Sequence, residues 1–276
     1  MRRRRTTGKQ QAWALRRVGQ SEIVSKFEAG KAIILSAGQG RRLSPLTDSR
    51  PKCLIELSGM SVLHWQLLHL HQAGVHEAVV VTGFGADAVD AEVARLNLPG
   101  MRVRTLYNPF FGLTDNLATC WLAREEMRES FLLLNGDTLF EPAVASRLLA
   151  APPADITLAI DRKDAYDADD MKVLTDGHRL LSIGKTIPAF DAESIGFLRF
   201  SSAGAAEFVA GVESALRGPE GLKRWYLSVI DELARAGGDV ATASIQGLDW
   251  AEMDFPADVA RNLALTEAWS RMKVAV

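Results

Sequence analysis

The sequence predicts an α/β fold: a Rossmann-like, mostly parallel sheet with helices on both faces and a small inserted lid. Short aliphatic runs alternate with segments of helical periodicity, which is typical of a sheet covered by helices. Several runs, such as IIL and LLL, are apolar throughout and suit strands buried on both faces. The 276 residues are 47% hydrophobic and 24% charged, which is enough apolar material for one core.

Strands and helices alternate in the first half of the chain. Strands are predicted at residues 32–36, 78–82, 103–107, 131–135 and 156–160, where β-branched and aliphatic residues cluster. Helices are predicted at residues 62–73, 86–96, 116–128 and 141–150, where apolar residues recur at helical spacing. Each helix therefore connects two strands, an arrangement that favours parallel neighbours.

The pattern changes after Pro152 and Pro153. Strands are predicted at residues 172–175, 180–183 and 195–200, followed by helices at 203–216 and 225–236. We interpret this half as a lid inserted beside the sheet. A strand at residues 240–245 and a helix beginning near Pro256 follow, with proline in the first turn, where its missing N–H is harmless. One domain over residues 31–276 is the simplest organisation.

Residues 1–30 are predicted to be a separate, flexible basic extension. Residues 1–31 carry a net charge of +7 and the remainder carries −9. An anchor for nucleic acid or anionic lipid is the alternative, but the acidic remainder lacks the positive face of a nucleic-acid-binding protein. No apolar run is long enough for a signal peptide or a membrane-spanning helix. We expect a cytoplasmic protein without nucleic-acid or integral-membrane partners, and the oligomeric state is left open.

A loop with two glycines follows the first predicted strand and suits phosphate binding. Gly38 and Gly40 let backbone N–H groups approach phosphate oxygens, and Arg42 and Lys52 add positive charge. A P-loop would require Gly-Lys-Ser/Thr, and a dinucleotide fingerprint would require a third glycine opening a helix, where Pro45 stands instead. A structural turn with incidental cations is the remaining alternative.

The whole segment LSAGQGRRLSPLTDSRPKCLIEL resembles the signature of the sugar-nucleotide and phosphocholine nucleotidyltransferase superfamily. That signature reads L-x-A-G-x-G-x-R-L followed by P-K-x-L, and every fixed position is present here. The resemblance implies that the nucleoside triphosphate is held by Leu35, Ala37, Gly38 and Gly40. It also implies that Arg42 and Lys52 act in catalysis by neutralising charge on the transferring phosphate and the pyrophosphate leaving group.

Two distant aspartates resemble the metal-binding pair of that superfamily. Asp137 follows an apolar strand in the sequence NGDT, and Asp254 stands in WAEMDF, which resembles the family element W-x-E-I-D-T-P. The resemblance implies that both carboxylates hold Mg²⁺ together with phosphate oxygens. A simple turn at Asp137 and a helix cap at Asp254 are the alternatives.

Further residues resemble the nucleoside and acceptor elements of the superfamily. The segment beginning at residue 108 looks like N-P-x-Y-x-x-T-N-N, which implies that Asn116 lies beside the nucleoside. Lys172 and Lys185 resemble the two lysine-bearing elements of the acceptor half. Lys185 is expected to act in catalysis on the acceptor phosphate, and Lys172 to bind the acceptor. Exposed strand lysines are the alternative interpretation.

The surroundings of Glu193, Trp225 and Tyr226 look most like the phosphocholine cytidylyltransferase branch. Aromatic faces and a carboxylate would hold a quaternary ammonium group, although an aromatic pair that only packs in the core is the alternative. The resemblance implies a Mg²⁺-dependent cytidylyltransferase that joins CTP to phosphocholine, or to a related phosphorylated amino alcohol or phosphonate, and releases pyrophosphate. A sugar-1-phosphate nucleotidyltransferase using UTP, dTTP or GTP is the main alternative, and an inactive nucleotide-binding regulator is a remote one.

Overall fold

A nine-stranded sheet forms the centre of the computed structural model, which describes residues 30–274, with side chains as far as residue 271. The basic extension predicted at residues 1–30 therefore lies outside the described residues, apart from Gly30. Thirteen strands lie in the described residues, nine in this sheet and four in two small two-stranded sheets, β2 with β3 and β7 with β13. They are β1 (Lys31–Ser36), β2 (Glu56–Leu57), β3 (Met60–Ser61), β4 (Glu77–Thr82), β5 (Arg102–Tyr107), β6 (Phe131–Asn135), β7 (Thr138–Phe140), β8 (Ile156–Asp161), β9 (Lys172–Asp176), β10 (Arg179–Ile183), β11 (Ala192–Phe200), β12 (Val240–Ser244) and β13 (Trp250–Glu252).

The strand order in the sheet is β5-β4-β1-β6-β11-β8-β12-β10-β9. Seven of these strands run in one direction, and β10 and β11 run in the other. The predicted α/β fold is confirmed. The three strands assigned to the lid belong to this same sheet: β9 and β10 form one edge, next to β12, and β11 lies between β6 and β8 in its middle.

The described residues contain seven helices, namely α1 (Val62–Gln72), α2 (Ala86–Arg95), α3 (Asn116–Leu122), α4 (Pro142–Leu149), α5 (Ser202–Leu216), α6 (Leu227–Arg235) and α7 (Pro256–Val274). The first six cover the sheet, and α7 packs against β2. Alternate residues of β1 face opposite layers. Ile33 belongs to the core formed with α3, α5 and α6, and Ile34 to the core formed with α1, α2 and α4. Both are fully buried, and burying such a side chain stabilises a fold by about 1.5–3 kcal/mol.

Helix α3 is shorter than predicted. It ends at Leu122, and a separate 3-10 turn spans Arg124–Glu126 where the prediction continued the helix to residue 128. The Glu126 carboxylate pairs there with Lys31 and Arg104. Tertiary ion pairs thus compete with the local helical periodicity. In the described range, no helix is both long and apolar enough to cross a membrane.

A short two-stranded ribbon, which the sequence did not predict, stands apart from the main sheet. Strands β7 and β13 pair antiparallel, with Ala251 opposite Leu139 and Glu252 opposite Thr138. The ladder continues as the Met253 amide donates to the Asp137 carbonyl at 3.1 Å. The ribbon therefore brings the backbone around Asp254 against that of Asp137, although more than a hundred residues separate them in the sequence.

Candidate active site

Most of the residues predicted to bind the triphosphate line one cavity of about 200 Å³ at the carboxyl ends of β1 and β6, the edge at which open α/β sheets bind ligands. Ala37 is buried, and neither it nor Arg42 belongs to the lining. Leu35 and Asn135 are direct neighbours in the parallel ladder, and the Gly136 amide donates to the Leu35 carbonyl at 3.0 Å. The cavity is lined by Leu35, Ser36, Gly38, Gly40, Lys52, Cys53, Asn116, Asn135, Gly136 and Asp137. The fold therefore brings together the glycine loop and the distant NGD segment.

The two loop glycines are needed for different reasons. Gly40 has φ 74°, a left-handed conformation that favours glycine, and a Cβ added there would lie 2.9 Å from Cβ of Lys52. The Gly40 carbonyl accepts from the Leu43 amide at 2.9 Å and from the Thr47 hydroxyl at 2.8 Å, which fixes the turn. Gly38 is exposed, and a Cβ there would meet no atom of the described chain within 4 Å. Gly40 therefore shapes the turn, and Gly38 leaves open space for a ligand.

Lys52 joins the two predicted metal-binding aspartates. Its Nζ donates to Oδ2 of Asp137 at 2.5 Å and to Oδ1 of Asp254 at 2.9 Å. Burial disfavours the ammonium, but the charges and hydrogen bonds of both carboxylates outweigh it and raise the pKa of Lys52. Burial likewise opposes ionisation of Asp254, and the nearby Lys52 and Arg42 lower the pKa of that carboxyl. Lys52 and Asp254 are therefore both charged at neutral pH.

The donor set at the two aspartates fits Mg²⁺. Oδ1 of Asp137 is buried and has no hydrogen-bond partner among residues 30–274, so its lone pairs are available to a cation. In the same range no cluster of three or more acidic, histidine or cysteine side chains suited to a metal is present. Mg²⁺ in phosphate-transfer sites is commonly held by only one or two carboxylates, with substrate phosphates and waters completing its shell. Asp137 and Asp254 could supply such a pair.

Arg42 and Lys185 lie on the outer side of this arrangement. One Arg42 nitrogen is 2.8 Å from Asp254 Oδ2, and another is 3.1 Å from Asp169 Oδ2. Lys185 Nζ is 3.2 Å from Asp169 Oδ1 and lies 4.8 Å from the centre of the Trp225 ring. The three predicted catalytic cations, Arg42, Lys52 and Lys185, thus form a continuous array linked by carboxylates.

Tyr226 does not lie where the acceptor prediction placed it. Its side chain is fully buried, and its hydroxyl donates to Oδ1 of Asn135 at 3.2 Å. Its amide donates to Oδ1 of Asn116 at 3.0 Å. Asn116 and Asn135 both line the cavity at the glycine loop, so Tyr226 fixes two residues of that cavity and presents no free ring face to an acceptor. Tyr226 is buried because it packs against α5, where its ring meets the Phe208 ring edge-on with 6.3 Å between the ring centres.

Lys172 also differs from its predicted placement. The residue is only 8% exposed, and its Nζ donates to the carbonyl oxygens of Asp167 at 2.6 Å and Lys185 at 3.4 Å. Lys172 therefore holds the backbone at Asp167 and Lys185 in place, and it offers little surface to a ligand. Trp225, by contrast, is 44% exposed, with its ring beside Lys185.

An acidic cavity of about 560 Å³ adjoins the cation array. It is lined by eight carboxylates, together with Lys163, Arg261, Trp250 and other residues; the carboxylates are Asp161, Asp167, Asp169, Asp170, Glu193, Glu252, Asp254 and Asp258. Glu193, predicted to bind the acceptor, has a side chain only 4% exposed and lies 2.9 Å from Lys163 Nζ. Burial raises the pKa of Glu193 to about 7, against the opposing effect of Lys163.

The family comparison agrees with this geometry. The MobA-like NTP transferase domain matches residues 32–251, which include β1 with its glycine loop and extend into β13. The chain belongs to the MobA-like NTP transferase family. The resemblance to nucleotidyltransferases predicted from the sequence is therefore confirmed.

Two curated relatives of this MobA-like transferase are named for reactions of cytidine nucleotides. The chain is 34% identical over 239 residues to CMP-5'-(3-aminopropyl)phosphonate synthase of Streptomyces rubellomurinus, covering 83% of this chain and 37% of that protein. It is 24% identical over 253 residues to CTP:phosphoglutamine cytidylyltransferase of Campylobacter jejuni, covering 83% of this chain and 97% of the relative. The chain thus spans little more than a third of the first relative.

Solved structures share the fold of this MobA-like transferase. The inositol-1-phosphate CTP transferase of T. maritima superposes with a TM-score of 0.71 at 23% identity, covering 85% of this chain and 94% of that one. The CTP:phosphocholine cytidylyltransferase of Streptococcus pneumoniae gives 0.70 at 19% identity, covering 86% and 98%. At these identities the comparison establishes the architecture alone.

Several residues reach the site of this MobA-like transferase without having been singled out from the sequence, among them Lys163, Asp169 and Glu252. Burial, together with the charges of Asp137 and Asp254, raises the pKa of Glu252 to about 8. Glu252 occupies the glutamate position of the W-x-E element, so the motif itself carried a signal. For Lys163 and Asp169 the signal was weaker, a charged run between two predicted strands, and such runs are usually solvated loops.

Proposed function

We propose that this protein is a cytidylyltransferase that transfers CMP from CTP to the phosphate or phosphonate oxygen of a small, amine-bearing acceptor and releases pyrophosphate. The observation that carries the proposal is the position of Asp254. Its carboxylate contacts Lys52 and Arg42 on the phosphate side and also lines the acidic cavity on the other. A triphosphate among these cations and an acceptor in the acidic cavity would therefore meet at Asp254.

The residues present suit direct transfer. The attacking oxygen would form a bond to the α-phosphorus as the bond from that phosphorus to the pyrophosphate oxygen breaks. Arg42 and Lys52 would neutralise charge on the triphosphate and on departing pyrophosphate, and Lys185 would bind the acceptor's anionic group. Asp137 and Asp254 would hold Mg²⁺, which supplies further positive charge to the phosphate oxygens. An acceptor phosphate or phosphonate is already ionised near neutral pH, so the reaction needs no histidine base.

The acidic cavity supports an amine-bearing acceptor. Eight acidic side chains and two cations, Lys163 and Arg261, line it. Glu252 is largely uncharged at neutral pH because its pKa is raised to about 8, but the other acidic side chains still outnumber the cations. Such an excess of negative charge stabilises an ammonium group and offers nothing comparable to a neutral sugar. The relative named for an aminopropylphosphonate product and the relative named for phosphoglutamine support acceptors that combine an anion with nitrogen. The cytidine base is supported by the same names.

A pyrophosphate-release screen tests the proposal. The purified chain is incubated with Mg²⁺ and CTP, UTP, dTTP or GTP, each with 3-aminopropylphosphonate, 2-aminoethylphosphonate, phosphoethanolamine, phosphocholine or glucose 1-phosphate. We expect release with CTP and an amine-bearing acceptor, and mass spectrometry should show the CMP adduct. Release only with hexose phosphate would replace the proposal with a sugar nucleotidyltransferase. Nucleotide binding without release from any pair would indicate an inactive regulator.

A further inference from the structure

Two oppositely charged side chains of one loop occupy separate parts of the acceptor side. The loop, residues 162–171, connects β8 to β9. Lys163 Nζ lies 2.9 Å from Glu193 Oε1 and 2.8 Å from Asp170 Oδ2. Asp169 places Oδ2 at 3.1 Å from Arg42 and Oδ1 at 3.2 Å from Lys185 Nζ. The loop thus presents an ammonium to a buried carboxylate and a carboxylate to two cations.

We infer that loop 162–171 is an internal mimic of the acceptor. Lys163 occupies the position of the acceptor's ammonium group, and Asp169 occupies the position of its phosphonate or phosphate. The inference rests on the proposed function, and it narrows the acceptor class to zwitterions that carry a primary ammonium at one end and a phosphorus oxyanion at the other.

The contacts of Asp169 resemble those of a bound phosphorus oxyanion. Its two oxygens contact two different cations, Arg42 and Lys185, as two oxygens of one phosphonate would. Both cations are already assigned to phosphate groups in the proposed reaction. The Asp169 side chain is 55% exposed and that of Arg42 is 47% exposed, and ion pairs in such positions contribute little to stability. A ligand with more negative charge than a carboxylate is therefore expected to displace Asp169.

The contacts of Lys163 define the ammonium position. Glu193 is almost completely buried, with its side chain 4% exposed, and a carboxylate in such a place needs a cationic partner. Lys163 reaches it from a loop through a flexible stem, with its side chain 34% exposed. Asp170 Oδ2 lies 2.8 Å from the same ammonium. A primary ammonium offers three N–H donors for these carboxylates, whereas a quaternary ammonium offers none.

The loop is held by hydrogen bonds that do not involve the side chains of Lys163 and Asp169. Lys172 donates to the Asp167 carbonyl at 2.6 Å, and the Tyr166 hydroxyl donates to the Asp191 carbonyl at 3.2 Å. Lys163 and Asp169 can therefore leave their partners while these anchors remain. Because the acceptor must displace both side chains, its apparent affinity is lowered by the fraction of molecules in which the loop occupies the site.

The test compares two loop variants with a control from the same loop. Lys163→Met and Asp169→Asn each remove one mimic group, and Asp164→Asn removes an exposed charge. For each variant, kcat and KM are measured with CTP and with two acceptors, the aminophosphonate (3-aminopropylphosphonate) and propylphosphonate, which lacks the amine. Direct binding of both acceptors is measured by calorimetry, and circular dichroism checks folding.

We expect Asp169→Asn to lower the KM of both acceptors by about 2- to 5-fold, the range set by weak exposed ion pairs. Lys163→Met is expected to lower the KM of the aminophosphonate only, because propylphosphonate leaves Glu193 without a cation. Asp164→Asn should change neither. A rise in acceptor KM in either mimic variant, or an equal shift for both acceptors and CTP in Lys163→Met, would overturn the inference.

The two proposals fail in different ways. If the unaltered protein releases pyrophosphate and the mimic variants do not tighten acceptor binding, the inference alone is wrong. If no acceptor supports release by the unaltered protein, the proposed function is wrong. Calorimetry still decides the inference in that case, since Asp169→Asn must then tighten the binding of both acceptors and Lys163→Met that of the aminophosphonate alone.

Discussion

Lys52 donates to the Asp137 carboxylate at 2.5 Å across 85 residues of sequence. The short ribbon of β7 and β13 then places Asp254 beside the same ammonium, at 2.9 Å. Arg42, 2.8 Å from Asp254, supplies the second positive charge that balances these two carboxylates. Removing one partner of such a group leaves an uncompensated charge, which makes the arrangement sensitive to single substitutions.

The first prediction concerns the two aspartates. Asp137→Asn and Asp254→Asn should each lower turnover on the order of 10²-fold or more, because each removes a ligand for the ion expected to stabilise the transferring phosphate. The measurement is pyrophosphate release over a range of Mg²⁺ concentrations. Asp90→Asn, on the exposed face of α2, is the matched control and should behave as the unaltered protein. Near-normal turnover in both site variants would remove the metal pair from the mechanism.

The second prediction separates the two loop glycines. Gly38→Ala should leave the melting temperature unchanged, because its Cβ meets open space, but weaken CTP binding, because the backbone there is expected to approach phosphate. Gly40→Ala should lower the melting temperature, since φ is 74° and the new Cβ would crowd Lys52. Thermal unfolding and CTP titration calorimetry distinguish the two.

The control for the glycine prediction is Gly112→Ala. Gly112 is exposed, and a Cβ there also meets no described atom within 4 Å. It should change neither melting temperature nor CTP affinity. Unaltered CTP affinity in Gly38→Ala would mean that the triphosphate does not approach this part of the loop.

The sequence was sufficient to predict those strands and loops that have a recognisable local residue pattern. The buried strands β1, β4, β6 and β8 are apolar runs, and the glycine loop and NGD segment follow two of them directly. Because parallel strands end at one edge, their loops were expected to meet. The structure confirms that Gly38, Lys52 and Asp137 line one cavity.

The rest depends on contacts that no local pattern records. Strands β7 and β13 have three residues each, too few to show a period of two, yet they juxtapose Asp137 and Asp254. Tyr226 is buried because α5 covers it, and Lys172 is buried because a loop folds over it. The sequence does not show whether a given tyrosine or lysine is buried. The positions of the side chains predicted to bind the acceptor were therefore the least predictable part of the site.

The third prediction follows from the placement of Tyr226. Tyr226→Phe removes the hydroxyl that donates to Asn135 and should lower the free energy of unfolding by about 1 kcal/mol. We expect weaker CTP binding, because Asn135 lines the phosphate cavity, and an unchanged acceptor KM. Urea unfolding and steady-state kinetics check both. A selective rise in acceptor KM would instead indicate that this ring contacts the acceptor.

The fourth prediction concerns pH and Glu193. Burial raises the pKa of this carboxyl to about 7 from an ordinary value of 4.5, with Lys163 opposing and Asp170 adding to the rise. Glu193 is therefore largely ionised above pH 7 and becomes neutral as pH falls below 7. An amine remains protonated throughout this range, so its attraction to Glu193 should weaken only at the lower pH. The KM of the aminophosphonate should then rise, by at most about tenfold per pH unit.

The comparison with propylphosphonate removes the ionisation of the phosphonate, and the Glu193→Gln variant separates Glu193 from Glu252. Both acceptors share the ionisation of the phosphonate, so its effect largely cancels in the ratio of their kcat/KM values. The pKa of Glu252 is about 8, so this carboxyl also loses charge in the interval, and its effect on the ammonium does not cancel. We expect the ratio in favour of the amine to fall between pH 8 and pH 6. In Glu193→Gln the ratio at pH 8 should be lower than in the unaltered protein and should change less between pH 8 and pH 6, because a neutral amide cannot attract the ammonium and only Glu252 still titrates. If the ratio of kcat/KM values does not change with pH in the unaltered protein, the amine is bound away from Glu193, because Glu193 changes its charge within this interval.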